Sequence, residues 1–344
     1  MLILNLWRLG MEKIDLIVIG AGISGLLAAI ESKNRGIENI VVIEREDEPG
    51  GAINSCVHSG FHYKNIKENL TAPELISSVV KEALELGIII KCNTTALELR
   101  DNNELVIVSG SEGINIIKSE AIILAMGSRE KPFGYKNILG YGALSGLITS
   151  RATLNYIYKK GVLPGKECII LGSDEIGILT AKTLMLEGSN VKYIVETGSE
   201  IKAVEPESKE DIRDFNIPVL FRHRVVRVYG KTRVTGVDIV KLDDNYNIVD
   251  GSRQYIDCDT LVLCMKSKPD SEIAEKYGIK VNDDNDGIVV NENYGTSHEG
   301  VFACGTVISG YSLMDRVMKE GIRAGRSASE YILMQREAEN GSER

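Results

Sequence analysis

One unit occurs twice in this chain, and it constrains the fold more than any other feature. Ile14–Ile19 is a continuous apolar run, followed by the turn Gly20-Ala21-Gly22-Ile23-Ser24-Gly25 and an amphipathic stretch to about Arg35. A second apolar run, Ile40–Ile43, ends at Glu44. The pattern returns at Cys168–Leu171, with a glycine-containing turn at 172–177 and a helical stretch to Leu186, and closes with Val191–Val195 and Glu196. In both copies the acid stands 24 residues after the first glycine, Gly20 to Glu44 and Gly172 to Glu196. Short apolar runs alternating with helical stretches are the mark of βαβ units on a parallel sheet. Two such copies in 344 residues predict two α/β, Rossmann-like domains and not a solenoid.

The chemistry of the first turn follows from its glycines. The first permits a tight turn, the second lets the backbone approach a pyrophosphate, and the third lets helix and strand pack closely. The helix that opens there offers free N–H groups and a partial positive charge to phosphates. Glu44, at the end of the next strand, is placed to accept hydrogen bonds from a ribose diol. This copy follows a strand, opens a helix and has its acid in place, so it is a much stronger signal than an isolated GxGxxG.

Between and after the copies, Glu104–Val108 and Ile114–Lys118 alternate as antiparallel strands, and Ala121–Leu124 is a buried strand leading into Ala125-Met126-Gly127. Thr260–Cys264 is a similar strand in the second copy. Gly287–Asn291, the run Gly300–Gly305 and a long helical pattern from Ser312 to about Arg336 follow. The expected organisation is a split first domain, 11–149 with 266–336, and an inserted second domain, 150–265. Residues 1–10 (MLILNLWRLG) are too short to span a bilayer and lack the charged start and cleavage site of a signal peptide, so they read as an appendage. Residues 337–344 read as a frayed polar tail.

The net charge of −9 argues against nucleic acid or an anionic membrane as the main partner. The six cysteines include no C-x-x-C pair and no accompanying His cluster, which predicts a reduced, cytoplasmic chain without a disulfide framework or structural metal.

FAD is favoured over NAD at the first turn by its surroundings. Glu44 and Arg45 are followed by Gly50-Gly51-Ala52, a glycine pair that lets backbone pass close to a ligand. Ala125-Met126-Gly127 closes a strand with small residues, and the run from Thr296 to Gly305 and Thr306 ends another before the last helix. This set resembles the two-dinucleotide-domain flavoproteins of the glutathione reductase and thioredoxin reductase superfamily. That resemblance covers about 12–333 and implies an FAD domain split around an inserted NAD(P)-type domain. It also implies that Cys56 and His58 lie where the chain passes the isoalloxazine, and that Leu313 and Met314 neighbour the flavin at the start of the last helix.

A closer likeness lies in GGAINSCVHSGFHY (50–63), NLTAPEL (69–75), ILAMGSRE (123–130), GVLPGKECIILGSDEIG (161–177), TLMLEGSNV (183–191), VFACGTV (301–307) and EGIRAGRSASEYI (320–332). These stretches look like the small FAD-dependent subunits that accompany glycerol-3-phosphate dehydrogenase-like flavoproteins, with relatives among opine oxidase, hydrogen cyanide synthase and dye-linked proline dehydrogenase. The likeness implies a partner flavoprotein dehydrogenase and electron transfer between subunits.

Three departures bear on function. Asp174 stands where the second turn should have its middle glycine, with Gly172 and Gly177 on either side. A carboxylate about 4 Å from a phosphate costs on the order of 4 kcal/mol at an effective dielectric near 20, roughly a thousandfold in affinity. Asp174 can instead cap its own helix and fill the anion position. NAD(H) is therefore a weaker expectation than FAD, and Glu196 would favour it over NADP by repelling a 2′-phosphate. Lys266 replaces a glycine usual in the superfamily. Thr306 replaces an Asp that in many members binds the ribityl chain, though the closer subfamily shares the Thr.

Cys56, 12 residues after Glu44, has no second cysteine to complete a redox pair, which argues against disulfide reduction. A flavin–sulfenate role, simple packing against the ring, and a role for His58 in proton transfer or in holding the flavin remain as readings of this pair. The expected function is an FAD-dependent dehydrogenase subunit acting on a small alcohol, amine, imino or amino acid, or polyol phosphate. A self-sufficient NADH-dependent oxidase or reductase and a non-catalytic nucleotide-binding scaffold are the alternatives.

Overall fold

A computed structural model describes residues 13–55, 59–63, 69–131, 138, 140, 144–264 and 266–342. The expected appendage, 1–10, lies outside them. The chain forms two compact units, one from residues up to Arg129 and from Ser267 onward, the other from Glu130–Lys266.

In the first unit the strand Ile14–Ile19 is buried throughout and pairs in parallel with Ile40–Ile43 on one side and with Gly113–Leu124 on the other. Strands buried on both faces read as unbroken apolar runs, which is why this one was visible in the sequence. Leu16 and Val18 pack towards the first helix, Ile23–Asn34, and the terminal helix, Met314–Ser342. Ile17 and Ile19 point the other way, into a cluster with Leu105, Ile107, Ile117 and Val307.

Gly113–Leu124 is one strand, although its sequence reads as two. Its first half pairs antiparallel with Glu104–Ser109, and its second half is sandwiched between Ile14–Ile19 and Val301–Ala303, both parallel. This strand from the C-terminal part of the chain completes the sheet, as a split domain requires. Within Gly287–Asn291, Ile288 makes an isolated bridge to Val281.

The terminal helix runs along the first helix at very short range. A Cβ added at Gly321 would overlap the backbone of Ser24, and one at Gly325 the backbone of Ala28. The Ser32 hydroxyl donates to the Gly325 carbonyl at 3.0 Å. The helix begins at Met314 and continues to Ser342, so the tail expected to fray from residue 337 is helical through Ser342. Two causes are visible: Glu337-Ala338-Glu339 are good helix formers, and Arg336 ties the preceding turn to Asp15 and Glu120.

The second unit holds a five-stranded parallel sheet in the order Leu147–Thr149, Thr260–Leu263, Glu167–Leu171, Asn190–Val195, Val219–Leu220. The expected boundary at 149/150 falls inside this unit, because Leu147–Thr149 hydrogen-bonds to Thr260–Leu263. Ile170 packs towards the helix Glu175–Leu186, and Ile169 faces an antiparallel sheet of His223–Gly230, Val234–Lys241 and Gln254–Asp257. Among the described residues no helix is long and apolar enough to cross a membrane. No group of three or more His, Cys, Asp or Glu among them could hold a metal ion.

Candidate functional site: two glycine cradles

The first cradle is built from backbone that tolerates almost no side chains. Gly20 has φ of +106°, and a Cβ there would overlap the Ala125 carbonyl. A Cβ at Gly25 would overlap the Gly20 carbonyl. Gly22 differs: its φ of −71° is open to any residue, and an added Cβ would meet nothing within 4 Å. The first and third glycines are thus demanded by the protein itself, while the middle one faces open space, as a position against a ligand would.

Gly22 caps the helix that Ile23, Ser24 and Gly25 begin, with no side chain bonded to its N–H groups and no acid in the first turn. Orphan amides at a helix start, with the positive end of the macrodipole, form an anion site. The Gly50 N–H donates to the Ala21 carbonyl at 2.8 Å, and a Cβ at Gly51 would stand 3.3 Å from the Gly22 Cα. The glycine pair therefore crosses directly over the loop. Ala52 is exposed beside it.

Glu44 is buried, and it does more than the sequence suggested. Its Oε2 accepts from the Ala21 N–H at 2.8 Å and its Oε1 from the Glu46 N–H at 2.9 Å. The acid pins the loop and still has lone pairs free for a diol, since an ionised carboxylate offers about four. Arg45 is half exposed and bonds Asp270 at 2.8 Å.

Apart from Met126, the remaining predicted contacts lie around the same loop. The Ala125 N–H donates to the Ile19 carbonyl, and Met126 packs on the sheet's far face. Gly127, at φ +75°, has the Thr306 hydroxyl 3.6 Å from where its Cβ would be. Gly305, at φ +79°, leaves only 2.5 Å between such a Cβ and the Ser24 Oγ, and Val317 of the terminal helix also lies close. Leu313 and Met314 sit one turn before Val317, the former half exposed. Glu320 carries no signal in the sequence: buried, it accepts from the Gly305 N–H at 3.2 Å and from Arg316 at 2.8 Å, fixing the loop that carries Thr306. Cys304 is fully buried, and burial pushes its thiol up to about 12, which removes it as a nucleophile. Cys56 and His58 lie outside the described residues.

The second cradle repeats the backbone and fills the opening. Gly172 has φ +113°, and Cβ atoms at Gly172 and Gly177 would crowd Cys264. Asp174 caps the helix Glu175–Leu186, its Oδ1 accepting from the Gly177 N–H at 2.9 Å. Glu196 is almost wholly buried and accepts from the Ser173 Oγ at 2.8 Å, the Gly198 N–H at 2.8 Å and Lys202 Nζ at 2.7 Å. Burial alone would raise its pKa, but the Gly198, Lys202 and Ser173 donors outweigh that and hold it at about 2. Lys266 is exposed, and its carbonyl accepts from the Lys131 N–H.

The profile of a family described as pyridine nucleotide-disulphide oxidoreductase matches residues 14–326. The chain belongs to that family. A thioredoxin reductase of Aquifex aeolicus is 25% identical over 303 residues, covering 86% of this chain and 85% of that protein. An NADH oxidase of Methanocaldococcus jannaschii is 25% identical over 334 residues, covering 92% and 69%. The crystal structure of T. acidophilum thioredoxin reductase aligns with a TM-score of 0.75 at 20% identity, over 92% of this chain and 98% of that one. That likeness is one of fold, two Rossmann-type domains with the first one split. FAD is the cofactor of this pyridine nucleotide-disulphide oxidoreductase family. The first cradle fits it: the space at Gly22, the uncapped amides and the Glu44 carboxylate match a pyrophosphate and a ribose diol.

Proposed function

We propose that the chain is the FAD-carrying subunit of a multi-flavoprotein dehydrogenase, cytoplasmic, and that it passes hydride or electrons between a small-molecule substrate and a partner flavoprotein. The observation that supports this most is the contrast between an open helix start at Gly22 and a self-capped one at Asp174. A free-standing family member needs two working nucleotide sites, whereas a subunit that exchanges electrons with a partner needs one.

Bound FAD would supply two-electron chemistry with access to one-electron steps. The protein's part is binding and orientation. The amides from Ile23 onward hold the pyrophosphate, Glu44 takes the ribose diol, and Gly50-Gly51 admit the ligand without side-chain interference. Thr306 donates a hydrogen bond from a loop held by Glu320. The start of the terminal helix, at Leu313 and Met314, brings a positive dipole end that favours negative charge nearby.

One relative, an NADH oxidase, favours a second reading, an enzyme that oxidises NADH by itself. Disulfide reduction of the thioredoxin reductase type is the less favoured form of it, since the sequence has no C-x-x-C. The test is purification from the native host under gentle conditions. The expected result is a yellow protein that releases FAD on denaturation and co-purifies in fixed ratio with a second flavoprotein. Dye-linked oxidation of an amine, amino acid or polyol phosphate should require both chains. An isolated chain that turns over NADH with oxygen or a disulfide at 1 s⁻¹ or faster, an ordinary enzymatic rate, overturns the subunit reading.

A further inference from the structure

The second unit carries the family's nucleotide-binding backbone, and the residues in it do not suit a dinucleotide. A shared hydrogen bond aligns the two cradles. The Gly50 N–H donates to the Ala21 carbonyl in the first, and the Ala203 N–H donates to the Ser173 carbonyl at 2.9 Å in the second. The segment crossing the loop is Gly50-Gly51 in one unit and Ala203-Val204 in the other.

Each element that leaves the first cradle open is occupied in the second. The middle glycine is Asp174, whose carboxylate already accepts from the Gly177 N–H. The next residue, Glu175, accepts from the Val204 N–H at 2.7 Å, so two carboxylates stand at a helix start where the first unit has none. The acid at the end of the next strand, Glu196, accepts from the Ser173 and Gly198 amides as Glu44 does from those of Ala21 and Glu46, and in addition from the Ser173 hydroxyl and the Lys202 ammonium. The crossing segment is tied down further by the Lys202 N–H on the Ser173 hydroxyl at 3.0 Å.

We propose that this second cradle is self-liganded: the Asp174 carboxylate stands in for a pyrophosphate and the Lys202 ammonium for a ribose diol, so the unit binds neither NADH nor NADPH. Asp174 and Glu175 repel the phosphates, and the Glu196 oxygens are already committed. The unit keeps its fold because its own side chains satisfy the groups that a dinucleotide satisfies elsewhere, much as a capping carboxylate satisfies a helix start. The inference shares its central observation, the Asp174 cap, with the proposed subunit role, and it concerns binding by the second unit alone.

The test is calorimetric titration of the FAD-loaded protein with NADH, NADPH and ADP-ribose. The wild type is expected to show no saturable binding up to about 1 mM, a free energy no stronger than about −4 kcal/mol. Asp174→Asn keeps a good helix cap and removes the charge; it should bind ADP-ribose at least tenfold more tightly than the wild type. Asp174→Gly with Lys202→Ala should gain more. Retained flavin absorbance and an unchanged far-UV spectrum verify folding in each variant. Wild-type binding of ADP-ribose or either nicotinamide nucleotide below 100 µM overturns the proposal. So does a failure of both variants to gain affinity, because the carboxylate would then not be what excludes the ligand. Nucleotide binding by the wild type would also remove the contrast that supports the subunit role most, whereas co-purification with a second flavoprotein tests that role separately.

Discussion

Replacing Gly22 by alanine separates what the first cradle needs for folding from what it needs for its ligand. At φ −71° and ψ 173° the backbone suits any residue, and the new methyl would meet no protein atom within 4 Å. A Gly→Ala change in a compatible conformation gains about 0.4–1 kcal/mol by restricting the unfolded chain. Alanine is also the poorer N-cap, by several tenths of a kcal/mol or more. The two effects oppose each other, so the apoprotein should stay within about 1 kcal/mol of wild type. FAD has no such tolerance. A methyl at Cα stands between the pyrophosphate and the amides that begin the helix, and pushing the phosphate back breaks at least one charge-assisted hydrogen bond. Such a bond is worth about 1.5–3 kcal/mol, or roughly 10- to 150-fold in Kd. Urea unfolding of the apoprotein and calorimetric FAD titration read the two quantities separately. A Gly22→Ala protein that binds FAD like wild type would refute the placement of the pyrophosphate. One whose apo form loses more than about 2 kcal/mol would refute the claim that the space is open. Gly20→Ala is the contrasting control: a positive φ and an overlap with the Ala125 carbonyl should destabilise the fold before any ligand is added.

Three further outcomes follow from the packing and the titrating groups. Gly325→Val would drive side-chain atoms into the Ala28 backbone and separate the first and terminal helices; a loss of about 1–3 kcal/mol is expected, and an unchanged urea midpoint would count against the close crossing. Burial holds the Cys168 thiol at about 11 and those of Cys258 and Cys304 at about 12, so all three should resist iodoacetamide at pH 8 until the protein unfolds; peptide mapping that finds Cys304 alkylated in the native state would contradict this. Glu196 falls from 4.5 to about 2 on folding, so its contribution to stability is complete above its unfolded pKa and lost as pH drops through its folded one. The stability gap between wild type and Lys202→Met should be widest above pH 5 and shrink towards pH 2; a gap independent of pH would mean that the pair is not ionic.

Where the sequence was informative, the controlling physics was local. Ile14–Ile19 and Cys168–Leu171 were readable because a strand covered on both faces leaves an unbroken apolar run. Gly20, Gly25 and Gly172 were readable because tight turns and close packing demand glycine at fixed spacing. The sequence of Gly113–Leu124 reads as two strands because its environment changes midway. Ile114 and Ile116 face outward on a half-exposed antiparallel hairpin, while Ala121–Leu124 are covered on both sides. The sheet of His223–Gly230, Val234–Lys241 and Gln254–Asp257 leaves no clear sequence pattern, because register shifts near Val225 and Tyr229 break the period-2 alternation. Glu320 and Asp270 were also invisible. Each meets its partner, Gly305 or Arg45, only after folding brings them together, 15 and 225 residues apart in sequence.

Asp174 shows how far such reading can go and what it leaves out. Its identity at a glycine position already implied repulsion of a phosphate, and the realised cap on the Gly177 N–H agrees with that. Repulsion alone, however, would leave an empty cradle with unsatisfied amides and a buried acid, which is unfavourable. Lys202, the Ser173 hydroxyl and the Val204–Glu175 bond resolve that difficulty, and none of them was visible in the turn itself. The 24-residue spacing from glycine to acid is identical in the two units, so the spacing specifies the βαβ backbone and not its ligand. What separates the units is whether the groups facing the helix start are supplied by the chain or left to something else. In the first unit Gly22, Gly50 and Gly51 supply no side chain, which is why the proposed cofactor site lies in the first cradle and not the second.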